Sequence, residues 1–161
     1  FYGNFGVILK AYAYILMLGK EGLKQASDHA VLNANYIMER LKKYYHLPFD
    51  RRCMHECVFS ASHQEKKGVH ALDIAKFLID KGMHPPTIYF PLIVKEAIMI
   101  EPTETESKAD IDKFIEAMIE AALLAEKDPQ CFKNFPKNTP ITRPDEVKAA
   151  KDINCNFFAK P

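Results

Sequence analysis

Apolar residues recur at helical spacing in four stretches of this chain and cluster in three short β-type runs, and that pattern sorts the sequence into elements. Residues 1–18 open on Gly3-Asn4-Phe5-Gly6 and then turn apolar, with Tyr12, Ile15 and Leu16 on one helical spacing; Gly19 is placed to stop the helix. From about 21 to 45, Leu23, Ala26, Ala30, Leu32, Tyr36, Ile37 and Leu41 keep an apolar stripe while Lys24, Asp28, Glu39, Arg40 and Lys43 take the other faces. Residues 56–61 (ECVFSA) are short and β-rich, and predict a strand. A charged loop, 62–68, is expected to be exposed. Leu72, Ala75, Leu78 and Ile79 predict a helix over 70–81, ended by Gly82.

Two further β-type runs, 87–90 and 97–100, flank Pro91 and the pair Lys95-Glu96. The second ends in Glu101-Pro102, where the proline disfavours helix at Glu101. Ser107 with Asp110 three positions on reads as a capping box, opening a helix over 108–126 on Ile111, Phe114, Ile115, Met118, Ile119 and Ala122. Prolines at 129, 136, 140 and 144 then break any long element, leaving a tail that wraps a surface, with a short helix near 145–151. The order predicts an α+β fold, an antiparallel-type sheet covered by helices and preceded by a long linking helix. The division expected is linking helices over 1–46, a small α+β domain over 47–126 and a proline-rich tail over 127–161.

Composition narrows the function classes. With 161 residues, 48% hydrophobic and 27% charged, the chain is long enough for one real core. A net charge of +1 argues for neither nucleic acid nor an anionic membrane surface. The longest apolar stretch, near 11–18, is too short to span a bilayer. The start on Phe1, without a basic region and small-residue cleavage site, reads as a piece of a longer polypeptide rather than a signal peptide. Cys53, Cys57, Cys131 and Cys155 are expected as free thiols in a reducing compartment.

Candidate chemistry gathers at strand ends. His55-Glu56 opens the first strand, where a carboxylate can fix an imidazole tautomer or simply form a surface pair. His84 stands before Pro85-Pro86, a rigid loop suited to presenting an imidazole and equally to an ordinary turn. Thr103, Glu104, Thr105 and Glu106 precede the last helix. Cap and dipole chemistry explains Thr105, Glu106 and Ser107, but does not require both the Thr103 hydroxyl and the Glu104 carboxylate. Gly3 and Asn4 before a helix form either a tight turn or an anion-binding helix start. Cys53, His55 and Cys57 would share a face on a strand, but no fourth ligand pairs with them, so no metal site is expected. No nucleophile triad, phosphate loop or GxGxxG appears, so no complete catalytic site is expected.

The wording of the central stretch is more specific than its spacing. Gly82-Met83-His84-Pro85-Pro86-Thr87-Ile88-Tyr89-Phe90-Pro91-Leu92 and Met99-Ile100-Glu101-Pro102-Thr103-Glu104-Thr105-Glu106-Ser107-Lys108 closely resemble the carboxy-terminal region of the P-proteins of the glycine cleavage system, the glycine dehydrogenases (decarboxylating). The likeness takes in Tyr2-Gly3-Asn4-Phe5-Gly6 and His55-Glu56, and its tail, Thr142-Arg143-Pro144-Asp145-Glu146-Val147, resembles the second subunit of the two-subunit bacterial form. Cys57 departs from the family, which usually has an aromatic there, and this weakens any thiol chemistry.

The resemblance implies the small carboxy-terminal domain of a type I pyridoxal-phosphate enzyme. Its parent decarboxylates glycine on pyridoxal phosphate and passes the aminomethyl group to the lipoyl arm of the H-protein. Implied partners are P-protein subunit 1, the lipoylated H-protein and glycine, in an oligomer, in the bacterial cytoplasm, without nucleic acid or membrane. The lysine that anchors the cofactor lies, in the family, before the region that resembles Phe1, so this chain is expected to bind no cofactor alone and to be inactive alone. His84, His55, Glu56, Thr103 and Glu104 are then expected on a wall of the active-site entrance, with Gly3 and Asn4 near the cofactor phosphate. The rival expectation is a docking and assembly module that binds the partner subunit or the H-protein through the long helix and the tail.

Overall fold

The computed structural model describes residues 2–156 and 158. Helix α1 runs Phe5–Leu41 and is broken at Gly19, whose φ of 60° and ψ of −171° lie outside the helical region. A side chain is strained at that φ, so the glycine that the pattern placed as a stop serves instead as a corner between two helical lengths. Beyond it come strand β1 (Cys57–Ser60), short helix α2 (Ser62–Glu65), α3 (Ala71–Asp80), β2 (Thr87–Ile88), β3 (Ala97–Ile100), α4 (Lys108–Lys127), a 3-10 helix (Pro129–Asn134) and α5 (Glu146–Lys151).

The sheet is antiparallel in the order β1-β3-β2. Its register pairs Cys57 with Ile100 and Phe59 with Ile98, and because side chains alternate across a strand these four share one face. All four are buried. Tyr45 packs edge-on against Phe59, ring centroids 6.2 Å apart, and its buried hydroxyl donates to the Met118 carbonyl at 2.8 Å. The core closes with Ile37, Met38 and Leu41 of α1, Ile74, Phe77 and Leu78 of α3, and Ile115, Met118 and Ala121 of α4. Tyr36 ties α1 to α4, its hydroxyl donating to Asp112 (2.7 Å) while Arg40 donates to it (2.6 Å).

Three local features differ from the pattern. The charged loop contains α2, where Gln64 is buried and donates to the Tyr44 carbonyl at 2.9 Å. A polar residue buried through a bond to a carbonyl 20 residues away leaves no periodic trace. The run at 87–90 keeps only two strand residues, because Tyr89 takes a left-handed backbone (φ 59°) that cannot continue a ladder. The proline-rich segment carries core residues: Phe132 is fully buried, its ring centroid 5.7 Å from that of Phe77 and 5.9 Å from that of Phe135. Asp73 and Asp80 of α3 hold that segment in place. The first pairs with Lys133 and Arg143, and the second accepts the backbone N–H groups of Lys137 and Asn138.

The first length of α1 has little cover. Phe5, Ile8, Leu9, Tyr12, Ile15, Leu16 and Met17 are all exposed. A helix this apolar around its circumference ordinarily lies inside a larger body. Among the described residues, no helix is long and apolar enough to cross a membrane.

Candidate functional site

The end of β3 and the start of α4 build one side of a cleft. Glu101 and Pro102 leave the sheet, the 103–106 turn follows, and Ser107 caps α4 by accepting the Asp110 N–H at 3.2 Å. Opposite lies the segment after α3, where Gly82 adopts φ 74° and Pro85-Pro86 stiffen the backbone behind His84. Between the two is an open cleft of about 470 Å³. Ile37, Ile100 and Phe114 give it apolar walls, while His84, Glu101, Glu106, Asp110, Lys81 and Lys113 bring mixed charge to it. Several of these charges are already spoken for: Lys81 pairs with Glu120 at 2.7 Å, and Lys113 with Asp110 at 3.2 Å.

The expected site residues fall into four places. His84 lines the cleft. His55 reaches Glu101, a cleft residue, with Nε2 3.5 Å from Oε1, and Glu56 stands close enough for the three donor atoms to lie within 4.8 Å of one another. Thr103 and Glu104 occupy the turn beside the cleft. The Thr103 and Thr105 hydroxyls bond at 2.6 Å, and the Glu104 carboxylate accepts the Tyr14 hydroxyl at 2.7 Å. Gly3 and Asn4 lie apart from these, at the start of α1. There the Asn4 side chain accepts the Val7 N–H at 3.2 Å, and Gly3 has φ 123° with Ile8 tight against the place of a Cβ.

Electrostatics sharpen two of these groups. The Tyr14 hydroxyl holds the Glu104 carboxyl below the usual carboxylate range, and the same bond pushes the Tyr14 phenol up. Burial pushes the Cys57 thiol well up, so it packs as a small apolar group rather than a nucleophile. Among the described residues two clusters offer metal-type donors, His55-Glu56-Glu101 and Glu65-His70-Glu96. In the second, Glu96 already accepts the Ala71 N–H at 2.7 Å and faces His70 Nδ1 at 3.1 Å, while Glu65 pairs with Lys95.

Three residues of this site escaped the sequence pattern. Glu101 read only as the end of a strand before proline, yet it borders the cleft and meets His55. Tyr14 and Asn33 read as helix positions, yet Tyr14 binds Glu104 and the Asn33 amide donates to the Thr103 carbonyl at 3.0 Å. No spacing rule announces those contacts, because they join residues 46 to 90 positions apart, and the one from Tyr14 comes from the length of α1 before the corner at Gly19.

Sheet, cleft and exposed first length of α1 together define a small α+β domain with an open cleft of apolar walls and charged rim rather than an enclosed catalytic centre. Residues 26–138 match the family described as the C-terminal domain of glycine dehydrogenase. The chain belongs to that family. It is 57% identical over 152 residues to a probable glycine dehydrogenase (decarboxylating) subunit 2 of Caldanaerobacter subterraneus, covering 94% of this chain and 31% of that protein. Similar proteins of the same description occur in Bacillus velezensis (56% identical, covering 94% of this chain and 31% of the relative) and Bacillus thuringiensis (56%, covering 100% and 33%). The chain thus spans about a third of the length of the curated relatives it matches.

Proposed function

We propose that this chain is the carboxy-terminal part of subunit 2 of a two-subunit bacterial glycine dehydrogenase (decarboxylating), and that it supplies one wall of the active-site entrance. The parent enzyme decarboxylates glycine on pyridoxal phosphate and passes the aminomethyl group to the lipoyl arm of the H-protein, in the cytoplasm, assembled with subunit 1. The observation that supports the wall assignment is that His84 and Glu101 line one cleft, with His55 paired to Glu101 and the Thr103–Glu104 turn lying in sequence between the lining residues Pro102 and Glu106. In this reading residues 1–46 link, 47–126 form the small domain of a type I fold, and 127–161 wrap it.

The described residues do not by themselves fit pyridoxal phosphate. Asn4 commits its side chain to capping α1, which leaves the phosphate only backbone N–H groups near Gly3 and Asn4. No lysine of this chain is assigned as the cofactor's attachment point. The chain's own contribution is to orient and enclose, with His84 and the Glu101–His55 pair presenting charge at the entrance.

A second reading, a docking module for subunit 1 or the H-protein, is favoured by the exposed apolar length of α1 and by Ile141, Val147 and Ile153 on the tail. The two are separated by adding glycine to full-length subunit 2 loaded with pyridoxal phosphate, with and without subunit 1, and following the visible absorbance. A cofactor band that shifts on glycine only in the assembled enzyme is expected. The absence of a cofactor band in both samples would refute the enzyme reading and leave the docking module.

A further inference from the structure

The two lengths of α1 grip one turn. From the first length Tyr14 donates to Glu104 at 2.7 Å, and from the second Asn33 donates to the carbonyl of Thr103 at 3.0 Å. In a straight helix the Cα atoms of Tyr14 and Asn33 would stand about 28 Å apart. Their partners are neighbours in sequence, with Cα atoms about 3.8 Å apart. Only a bent α1 brings both donors to that turn, and the bend is at Gly19, where φ of 60° and ψ of −171° interrupt the helix.

The gripped turn is continuous with the cleft. Glu101 and Pro102 precede it and Glu106 follows it, and all three line the cleft opposite His84. Within the turn, Thr103 and Thr105 are joined through their hydroxyls at 2.6 Å, so a displacement of Glu104 is transmitted to both neighbours. Tyr14 is not among the cleft-lining residues, and its hydrogen bond reaches them through Glu104.

We propose that Tyr14 is a positioning residue for the reaction of the parent enzyme. By bonding the Glu104 carboxylate it fixes the 101–106 segment as a wall of the entrance, with Asn33 as the second anchor of the same turn. This rests on the entrance-wall reading given above. Glu104 is thereby the handle by which α1 holds the wall, and the contact with substrate falls to the groups that line the cleft.

The test uses full-length subunit 2 assembled with subunit 1, with glycine as the varied substrate. Tyr14→Phe removes one hydroxyl and leaves the ring. Its KM for glycine is expected to rise about five-fold, the scale of one ordinary solvent-exposed hydrogen bond, with kcat changed less than about two-fold and the thermal midpoint unmoved. In a Glu104→Ala background the same substitution is expected to change nothing further, since its partner is gone. An unchanged KM in Tyr14→Phe, or an equal effect in the Glu104→Ala background, would overturn the proposal. His84→Ala separates the two failures: if it leaves glycine KM unchanged, the wall reading itself is lost. If His84→Ala raises KM and Tyr14→Phe does not, the wall reading stands and the positioning role is lost.

Discussion

Asp73 offers the sharpest test of how the proline-rich segment is held. Its side chain is 3% exposed and accepts the His70 N–H at 3.0 Å, the Lys133 ammonium at 3.1 Å and the Arg143 guanidinium at 2.8 Å. Arg143 also donates to the carbonyls of Phe132 and Phe135, each at 2.9 Å. One carboxylate thus joins the first turn of α3 to the segment that buries Phe132. Removing one partner of a fully buried pair costs about 3–5 kcal/mol. Here Lys133 and Arg143 are 55% and 29% exposed, so water recovers part of their charge, and Arg143 keeps two carbonyls. Asp73→Asn is therefore expected to destabilise by about 2 kcal/mol at pH 7.

The effect has a pH signature. Burial by itself would raise the Asp73 pKa, but the His70 N–H and the two cations outweigh it and hold the carboxyl below the usual range. A depressed folded-state value means that the stabilisation is present above the unfolded-state value, about 3.9. It is lost as pH falls through the folded-state value. The gap between wild type and Asp73→Asn should accordingly be full at pH 7 and shrink below about pH 4. Urea unfolding followed by circular dichroism measures both quantities, with a midpoint shift of about 1 M expected at pH 7. A variant within about 0.5 kcal/mol of wild type at pH 7, or a gap constant down to pH 3, would refute the reasoning.

Two further outcomes follow from the fold. Phe132→Ala empties a site enclosed by Phe77 and Phe135 and is expected to cost about 3–5 kcal/mol, read as a fall in urea midpoint, because a deleted buried ring loses both transfer energy and contacts. Gly19→Ala places a Cβ at φ 60° in a conformation reserved for glycine, at a cost of about 1–3 kcal/mol unless the helix straightens. Spin labels at Tyr12 and Thr105 should report a longer separation in that variant, and an unchanged distance with unchanged stability would mean that the corner is not set by Gly19.

The packing of Phe132 also dictates where the tail can be cut. Truncation from Pro129 would remove a core residue and confuse unfolding with loss of docking. Truncation from Pro144 leaves Phe132, Phe135 and Arg143 in place and removes α5, which has no buried residue. Lost assembly with retained cofactor binding in that truncation would favour the docking reading.

The elements themselves were legible because local chemistry sets them. Periodic apolar residues gave α3 and α4, Ser107 capped α4 where its spacing to Asp110 indicated, and the antiparallel β2-β3 pair formed around Pro91. The odd wording around His84 and the Glu101–Ser107 run was enough to indicate the family. Tertiary structure alone decided which polar groups meet. Glu101 joins His55 to the cleft, Tyr14 and Asn33 converge on one turn, and Asp73 draws in a tail that composition marked as loop. Such contacts span from 46 residues, between His55 and Glu101, to 90, between Tyr14 and Glu104. Helical and strand periods speak only of neighbours a few residues apart, whereas these pairings arise from one glycine's backbone angle and from the faces that the core brings together.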